Sequence, residues 1–356
     1  MIVDIHTHIF PHQGGPAGYE DARTYLKIQQ ERIGSFWLHM VTSTPDRKYV
    51  PLPDEDIGFM VGRYGRYHWR KHDSECWLQR FPVTMVEMEW PPEHMIALMD
   101  WTGVDKAVLG GGGGYMEVDY CRQYFTDAIK KYPDRFIGTV GIDYDLRKNE
   151  QHREAELKKL CDSVRRDGMK GLVDNYPRGQ QIDDERFEPL WEELSRLRIP
   201  FITNISAAPR QVYLDRVDRI EKVMKKFSDV NWVINHLGGN VRPPSDPEYL
   251  DIPEVLLKIL RLPNAYFEAG YVLSYAKWSS WKEDYEYPYL LHAKLVKKVY
   301  DEVGAERLLW GSDMPNNLRT CTYLQSLDLV RLHFDFLSEE EKNLVLDKNP
   351  ARLFGI

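Results

Sequence analysis

Two histidines stand two residues apart in MIVDIHTH, at the start of the chain. Side chains alternate between the two faces of a strand, so His6 and His8 point the same way if this apolar run is a strand. A divalent metal ion is a common reason for two neutral imidazoles to converge on one point. The pair is a short motif of low specificity, so its interpretation depends on what the rest of the chain places beside it.

Further polar residues stand at the ends of later apolar runs, and their types suit metal binding or proton transfer. They are Asp174, Asn175, Asn204, His236, Glu268 and Asp313. A buried imidazole or carboxylate costs free energy unless it is paired, so a purely structural set of strand ends has little reason to contain them. The set therefore favours a divalent metal site formed at the strand ends.

Eight short apolar runs rich in β-forming residues are predicted to be the strands that position these side chains. They cover residues 2–8, 105–110, 136–143, 169–175, 200–206, 231–236, 265–270 and 307–313. From residue 100 onward they alternate with charged segments of helical period, such as EAELKKLCDSVRRDG. This alternation is typical of an α/β protein with a parallel sheet, and eight repeats predict a closed (β/α)₈ TIM barrel rather than an open sheet. No glycine-rich dinucleotide motif follows the first run.

A long segment, residues 11–90, separates the first predicted strand from the second. A connection of this length is predicted to contain helices of its own and to form a lid over one mouth of the barrel. It contains GRYGRYHWRKHD, where Arg63 and Arg66 are candidate ligands for a substrate carboxylate beside aromatic rings that stack on a substrate. The alternative is a solvated basic segment with locally packed aromatics. No linker divides the chain, so residues 1–356 are predicted to form one domain.

A run of five glycines, residues 110–114, follows the second predicted strand. It lacks the GK[ST] sequence of a phosphate-binding loop, so it either lines the pocket closely or is a flexible turn. Tyr115, Glu268 and Tyr271 are candidate pocket residues, with barrel-rim positions as the alternative.

The composition excludes several classes of function. The chain has 356 residues, 43% of them hydrophobic, and a net charge of -8, which argues against a nucleic-acid-binding surface. No apolar run is long enough to span a membrane, and no apolar segment at the start is typical of a signal peptide. The four cysteines are widely separated and predict reduced thiols. These features predict a soluble cytoplasmic protein without nucleic-acid or membrane partners.

Four stretches, DIHTH, INHLGGN, LLWGSDMP and NPARLFGI, together resemble the amidohydrolase superfamily, in particular the "amidohydrolase 2" branch. That branch includes aminocarboxymuconate semialdehyde decarboxylase and resorcylate-type decarboxylases. The resemblance covers the whole chain and implies that His6, His8 and Asp313 hold one divalent metal ion, Zn²⁺ or alternatively Mn²⁺. It further implies that His236 is a neighbouring acid or base. Relatives of this kind are often homodimers, which implies the same assembly here.

The chain departs from the family pattern at Asn204, where the fifth strand usually ends in His. Three interpretations follow. His236 or water completes a site of His6, His8 and Asp313; or Asn204 helps to hold a harder ion such as Mn²⁺; or the site has degenerated. Binuclear relatives carry a modified lysine at the end of the fourth strand, whereas Lys170 stands at its beginning, so one metal ion is predicted.

The sequence thus predicts a metal-dependent enzyme for a small carboxylated substrate, aromatic or cyclic. Its reaction is hydrolysis or non-oxidative decarboxylation, because a divalent ion activates water and polarises substrate oxygens. Asp313 and His236 are the predicted proton carriers. The alternative is a ligand-binding barrel, non-catalytic or metal-free, whose metal site is lost at Asn204.

Overall fold

The computed structural model describes residues 1–36, 42–43, 46–111, 114–174, 180–205, 210–239, 252–270 and 286–356. All eight predicted runs contain a strand. These eight strands are β1 (Val3–Thr7), β5 (Lys106–Leu109), β6 (Phe136–Gly138), β7 (Leu172–Val173), β8 (Phe201–Thr203), β9 (Trp232–Ile234), β10 (Ala265–Glu268) and β11 (Leu308–Leu309). They pair in the orders β1-β5-β6 and β11-β10-β9-β8-β7, and every pair runs parallel. The predicted α/β fold with parallel strands is confirmed.

Backbone hydrogen bonds also connect the edge strands of these two sheets. The amide of Ile5 donates to the carbonyl of Trp310 at 3.0 Å, and the amide of His8 donates to Met314 at 2.7 Å. At the other edges, the amide of Val140 donates to Gly171 at 2.9 Å. The first strand therefore lies beside the segment that follows the last strand, which is where the functional residues at both ends of the chain meet.

One buried apolar cluster receives side chains from every one of the eight parallel strands. Its members from the strands are Val3, Ile5, Val108, Ile137, Ile202, Val233, Tyr266 and Leu309, with the partly buried Val173 packed against them. Leu353 and Phe354 of the C-terminal helix complete it. Burying apolar side chains stabilises the fold by about 1.5–3 kcal/mol for each large residue, so this cluster holds the strands to one another.

Helices follow the strands, as the alternating pattern predicts. They are α1 (Ala22–Phe36), α2 (Pro92–Thr102), α3 (Val118–Lys131), α4 (Glu150–Arg165), α5 (Glu188–Leu197), α6 (Arg210–Lys226), α7 (Glu254–Leu260), α8 (Leu290–Val303), α9 (Tyr323–Asp328), α10 (Glu339–Asn343) and α11 (Asn349–Phe354). Pro92 opens α2 and Gly103 ends it at φ 76°, positions where proline and glycine are favoured. Within the described ranges, no helix is both long and apolar enough to cross a membrane.

Residues 11–90, predicted to contain helices, contain the helix α1 and a small sheet that was not predicted from the sequence. Its strands are β2 (Met60–Val61), β3 (Arg66–Lys71) and β4 (Ser74–Gln79), paired antiparallel in this order. The basic and aromatic stretch, residues 62–73, thus contains β3 and the hairpin turn at His72 and Asp73, both at positive φ, while β4 follows it. Reciprocal hydrogen bonds of 2.9 Å between Phe10 and Trp90 tie the base of the segment together.

Candidate metal centre and active site

Three buried side chains from the two ends of the chain meet at the carboxyl end of β1 and just after β11. Their metal-binding atoms, on His6, His8 and Asp313, all lie within 4.8 Å of one another. Nε2 of His8 is 2.8 Å from Oδ1 of Asp313, and Nε2 of His6 is 3.6 Å from the same oxygen. Two imidazoles and a carboxylate that converge in this way are a donor set that suits Zn²⁺ or Mn²⁺.

Asp4 fastens together the two segments that carry these donors. Its Oδ1 accepts hydrogen bonds of 3.0 Å from the amides of His6 and Ser312, and its Oδ2 accepts from the Ser312 hydroxyl. Asp4 is fully buried, and this burial raises its pKa to about 6. Because one carboxylate holds both segments, the spacing between His6 and Asp313 is fixed by the fold.

Glu268, at the end of β10, orients His6. Its Oε1 lies 2.7 Å from Nδ1 of His6, while its Oε2 accepts the amide of His236 at 2.5 Å. Burial alone lowers the pKa of His6, but the carboxylates of Glu268 and Asp313 raise it to about 9. A carboxylate behind a ligand imidazole fixes the ring and increases its basicity, so Nε2 of His6 faces Asp313. The structure places Glu268 behind the predicted ligands.

Asp313 lies at φ 56°, a left-handed conformation that is unfavourable for a residue other than glycine. Its Oδ1 accepts a hydrogen bond from His8 and another, of 3.0 Å, from Asn316. Burial opposes ionisation, but the hydrogen bond from His8 and the charges of His6 and His8 hold the pKa of Asp313 well below its usual value. The carboxylate is therefore ionised at neutral pH and available to a cation.

His236 stands beside this trio, with its ring stacked on that of His6 at 5.0 Å between centroids. Its φ is 54°, so two of the predicted site residues adopt left-handed backbone, a strain that clusters at functional sites. Burial lowers the pKa of His236, which keeps this imidazole neutral at pH 7. The neighbouring Asn235 has a buried carbonyl oxygen without a hydrogen-bond partner in the described part of the chain. Asn235 was not predicted as a site residue.

The remaining predicted site residues differ in their exposure and contacts. Asn204 follows β8 and is exposed. Arg63 is also exposed and pairs with Glu87 at 3.3 Å, whereas Arg66 lies over the ring of Trp77 at 4.0 Å. Their roles stay predictions. Asn175 and Tyr271 lie outside the described residues.

Tyr115 does lie near the trio, with its ring 5.6 Å from that of His8. Its hydroxyl accepts a hydrogen bond of 2.7 Å from Arg80 and contacts Asn316. Neither partner was predicted from the sequence. Asn316 follows WGSDMP directly and was a detectable candidate, whereas Arg80 lies outside the basic stretch, and only the folded hairpin brings it to Tyr115.

The chain belongs to the amidohydrolase family (Amidohydro_2), whose model, described as Amidohydrolase, matches residues 3–356. The predicted family resemblance is confirmed. This is a family of enzymes, and the convergence of His6, His8 and Asp313 gives no support to a degenerate, non-catalytic barrel. Among curated proteins, no sequence matches the chain significantly.

Solved structures of low sequence identity share the fold. A probable 2-pyrone-4,6-dicarboxylic acid hydrolase from Acinetobacter baumannii, with citric acid bound, has a TM-score of 0.59 and 16% identity, covering 100% of this chain and 99% of its own. An amidohydrolase from Burkholderia multivorans with bound zinc has a TM-score of 0.58 and 14% identity, covering 75% and 89%. A dihydroxybenzoic acid decarboxylase from Polaromonas, with manganese and 2-nitroresorcinol, has a TM-score of 0.52 and 15% identity, covering 76% and 87%.

Proposed function

We propose that this protein is a metal-dependent enzyme that hydrolyses or decarboxylates a small carboxylated substrate, aromatic or cyclic. The observation that carries the proposal is the buried convergence of His6, His8 and Asp313 within 4.8 Å. The similar structures with bound zinc, manganese and citric acid support it by analogy of fold.

One divalent ion, Zn²⁺ or alternatively Mn²⁺, fits this donor set. His6, His8 and Asp313 would hold it, with Asn204 as a further oxygen donor and Glu268 orienting His6 from behind. When bound, such an ion supplies Lewis-acid polarisation of a substrate oxygen and activation of water. Within the described residues, the carbonyl oxygen of Asn235 beside His6 has no hydrogen-bond partner, so it is a further polar group that a bound species would satisfy.

Asp313 and His236 would carry the protons. In hydrolysis, the ionised Asp313 accepts the proton of the attacking water, and the neutral His236 donates a hydrogen bond to the developing oxyanion. In decarboxylation, the carbon–carboxylate bond breaks, its electron pair stays on the carbon, and a proton taken up from solvent and delivered by His236 or Asp313 replaces CO₂. Both reactions need these residues within reach of the substrate.

The eight strands are proposed to close into a (β/α)₈ barrel, with residues 11–90 as a lid over the mouth that holds the site. The bonds from Ile5 to Trp310 and from Val140 to Gly171 support closure, as does the apolar cluster that takes a side chain from every parallel strand. Arg63 and Arg66 of the lid are the proposed substrate contacts, and the ring of Tyr115, 5.6 Å from that of His8, is a further candidate to line the pocket. Cytoplasmic location and assembly as a homodimer stay predictions of the sequence.

The test is a substrate panel assayed with protein loaded with Zn²⁺ and, separately, with Mn²⁺. Release of CO₂ from hydroxybenzoates and carboxymuconate-like acids is measured beside hydrolysis of lactones and amides. We expect turnover in one class, abolished by chelation and reduced about 10²- to 10⁴-fold in His236→Asn. His94→Asn, a substitution of an exposed histidine, is the matched control. No turnover in either class by the metal-loaded protein would contradict the proposal.

A further inference from the structure

Three side chains form a continuous hydrogen-bonded path from the segment before α2 to Asp313. Nη2 of Arg80 donates to the Tyr115 hydroxyl at 2.7 Å, and this hydroxyl bonds to Oδ1 of Asn316. Nδ2 of Asn316 donates to Oδ1 of Asp313 at 3.0 Å. Arg80 is placed just after β4, Tyr115 follows β5, and Asn316 follows β11, so three separate parts of the chain contribute.

Arg80, the first residue of the path, determines which group donates and which accepts in every hydrogen bond of the path. A guanidinium only donates, so the Tyr115 hydroxyl accepts from Arg80 and must use its single hydrogen toward Asn316. The Asn316 carbonyl oxygen accepts that hydrogen, and its amide group is therefore turned toward Asp313. Without this order, the amide of Asn316 could rotate and place its oxygen against the carboxylate, where two acceptors repel each other.

Packing also restrains the three side chains of the path. The Tyr115 ring is 5% exposed and stacks on Phe10 with centroids 4.5 Å apart. Arg80 lies over the ring of Phe81, 4.8 Å from its centroid. Asn316 is 8% exposed. None of these side chains has room to change its partner freely, so the order of the path is a fixed property of the fold.

We propose that Arg80, Tyr115 and Asn316 are positioning residues for Asp313. Through them, the segment between β4 and α2 sets the orientation of the Asp313 carboxylate. This assignment rests on the proposed metal-dependent function, because it assumes that Asp313 is a ligand. It differs from the substrate-contact role predicted for Tyr115, because the Tyr115 hydroxyl is engaged with Arg80 and Asn316.

The test uses the full chain with Co²⁺, because the visible absorption of bound cobalt reports the geometry of its ligands. We expect Asn316→Ala to weaken Co²⁺ binding about 10- to 100-fold, the range for groups that orient a ligand, and to shift the absorption band. Tyr115→Phe keeps the ring and removes the hydroxyl; we expect a smaller loss, of about 3- to 10-fold, with a shift of the same band. Tyr120→Phe on α3 is the matched control and leaves band and affinity unchanged.

The double variant Tyr115→Phe/Asn316→Ala decides how Tyr115 acts. If Tyr115 acts only through Asn316, removing its hydroxyl has no further effect once Asn316 is replaced. The double variant then binds Co²⁺ with the same affinity as Asn316→Ala. Additive losses, or an unshifted band in Asn316→Ala, would overturn the assignment while leaving the metal site in place. Failure of the wild-type protein to bind Co²⁺ at all would instead contradict the proposed function. Arg80→Ala, which removes the donor to the Tyr115 hydroxyl, is expected to shift the same band, and Arg80→Lys, which retains a donor, is expected to restore it; an unshifted band in Arg80→Ala would overturn the role of Arg80.

Discussion

Oε1 of Glu268 lies 2.7 Å from Nδ1 of His6, and both side chains are buried although 262 residues separate them in the chain. This contact fixes which nitrogen of His6 faces Asp313. It also places a negative charge behind the imidazole, which strengthens that ring as a donor to a cation. In the proposed metal site, Glu268 would therefore determine metal affinity through His6, without touching the metal.

Glu268→Gln is expected to weaken Zn²⁺ binding about 10- to 100-fold, because the amide can still contact His6 but no longer supplies the charge. Affinity is measured by competition with a chromophoric chelator at constant pH. Glu93→Gln, an exposed position in α2, controls for loss of one negative charge. Unchanged affinity in Glu268→Gln would show that the contact does not tune His6.

Asp4→Ala is expected to lower the free energy of unfolding by roughly 2 to 4 kcal/mol, because the substitution leaves three buried donors unsatisfied. These donors are the amides of His6 and Ser312 and the hydroxyl of Ser312. The measurement is urea unfolding of the metal-free protein, with Asp54→Ala at an exposed position as the control. A loss no larger than in the control would mean that Asp4 does not hold the two segments together.

The metal-free protein is expected to lose stability as the pH rises from 6.5 to 9. The folded pKa of His6 is raised from 6.5 to about 9, so its contribution is complete below pH 6.5 and disappears as pH passes through 9. The loss is about 3 kcal/mol, from the size of the shift. The pKa of Asp4 is raised to about 6, and the pKa values of His236 and His292 are lowered, so these groups titrate below this window.

Urea unfolding in the presence of a chelator, repeated between pH 6.5 and pH 9, measures this loss. His6→Gln removes the titrating group, so its free energy of unfolding is expected to vary much less over the same range. An equal decline in the wild-type protein and in His6→Gln would assign the pH dependence to other groups.

Gly311→Ala is expected to weaken the proposed metal centre, because the added methyl group would displace Glu268 and His6. A Cβ at this position would lie 2.4 Å from Oε1 of Glu268 and 2.9 Å from Cβ of His6, closer than real contacts allow. We expect at least a tenfold loss of Zn²⁺ affinity, because the two side chains must separate. Gly15→Ala, whose Cβ meets only the His12 carbonyl at 3.4 Å, is the control. Wild-type affinity in Gly311→Ala would show that the site tolerates this displacement.

The strands, and the convergence of the residues proposed to bind metal, could be predicted from the sequence because both are encoded locally. Apolar runs with polar ends at His6, His8 and Asp313 need only the rule that parallel strands place their carboxyl ends together. The antiparallel sheet of residues 60–79 was not predicted because its strands lack a clear alternation of apolar and polar residues. Charged and aromatic residues interrupt that pattern, so neither the strand register nor the turn at His72 and Asp73 can be read from the sequence.

The contacts of the arginines in residues 11–90 also depend on the tertiary fold and could not be predicted from the sequence. The density of charge around Arg63 and Arg66 made them candidates in the sequence; in the structure, Arg63 lies exposed in the connection between β2 and β3, and Arg66 on β3 packs over Trp77. Arg80, which stands alone in LQRFP, reaches Tyr115 only through the tertiary fold. Glu268 was predicted as a pocket residue, and the structure shows what the sequence could not, that its partner is His6.

The central claim is that His6, His8 and Asp313 form a metal site, and metal content tests it most directly. Elemental analysis of the purified protein, after reconstitution with Zn²⁺ or Mn²⁺ and removal of excess ion, is compared between the wild type, His6→Ala and the control His94→Ala. We expect one equivalent of metal in the wild type and in His94→Ala, and no bound metal in His6→Ala. A metal-free wild type, or equal metal in His6→Ala, would contradict this claim.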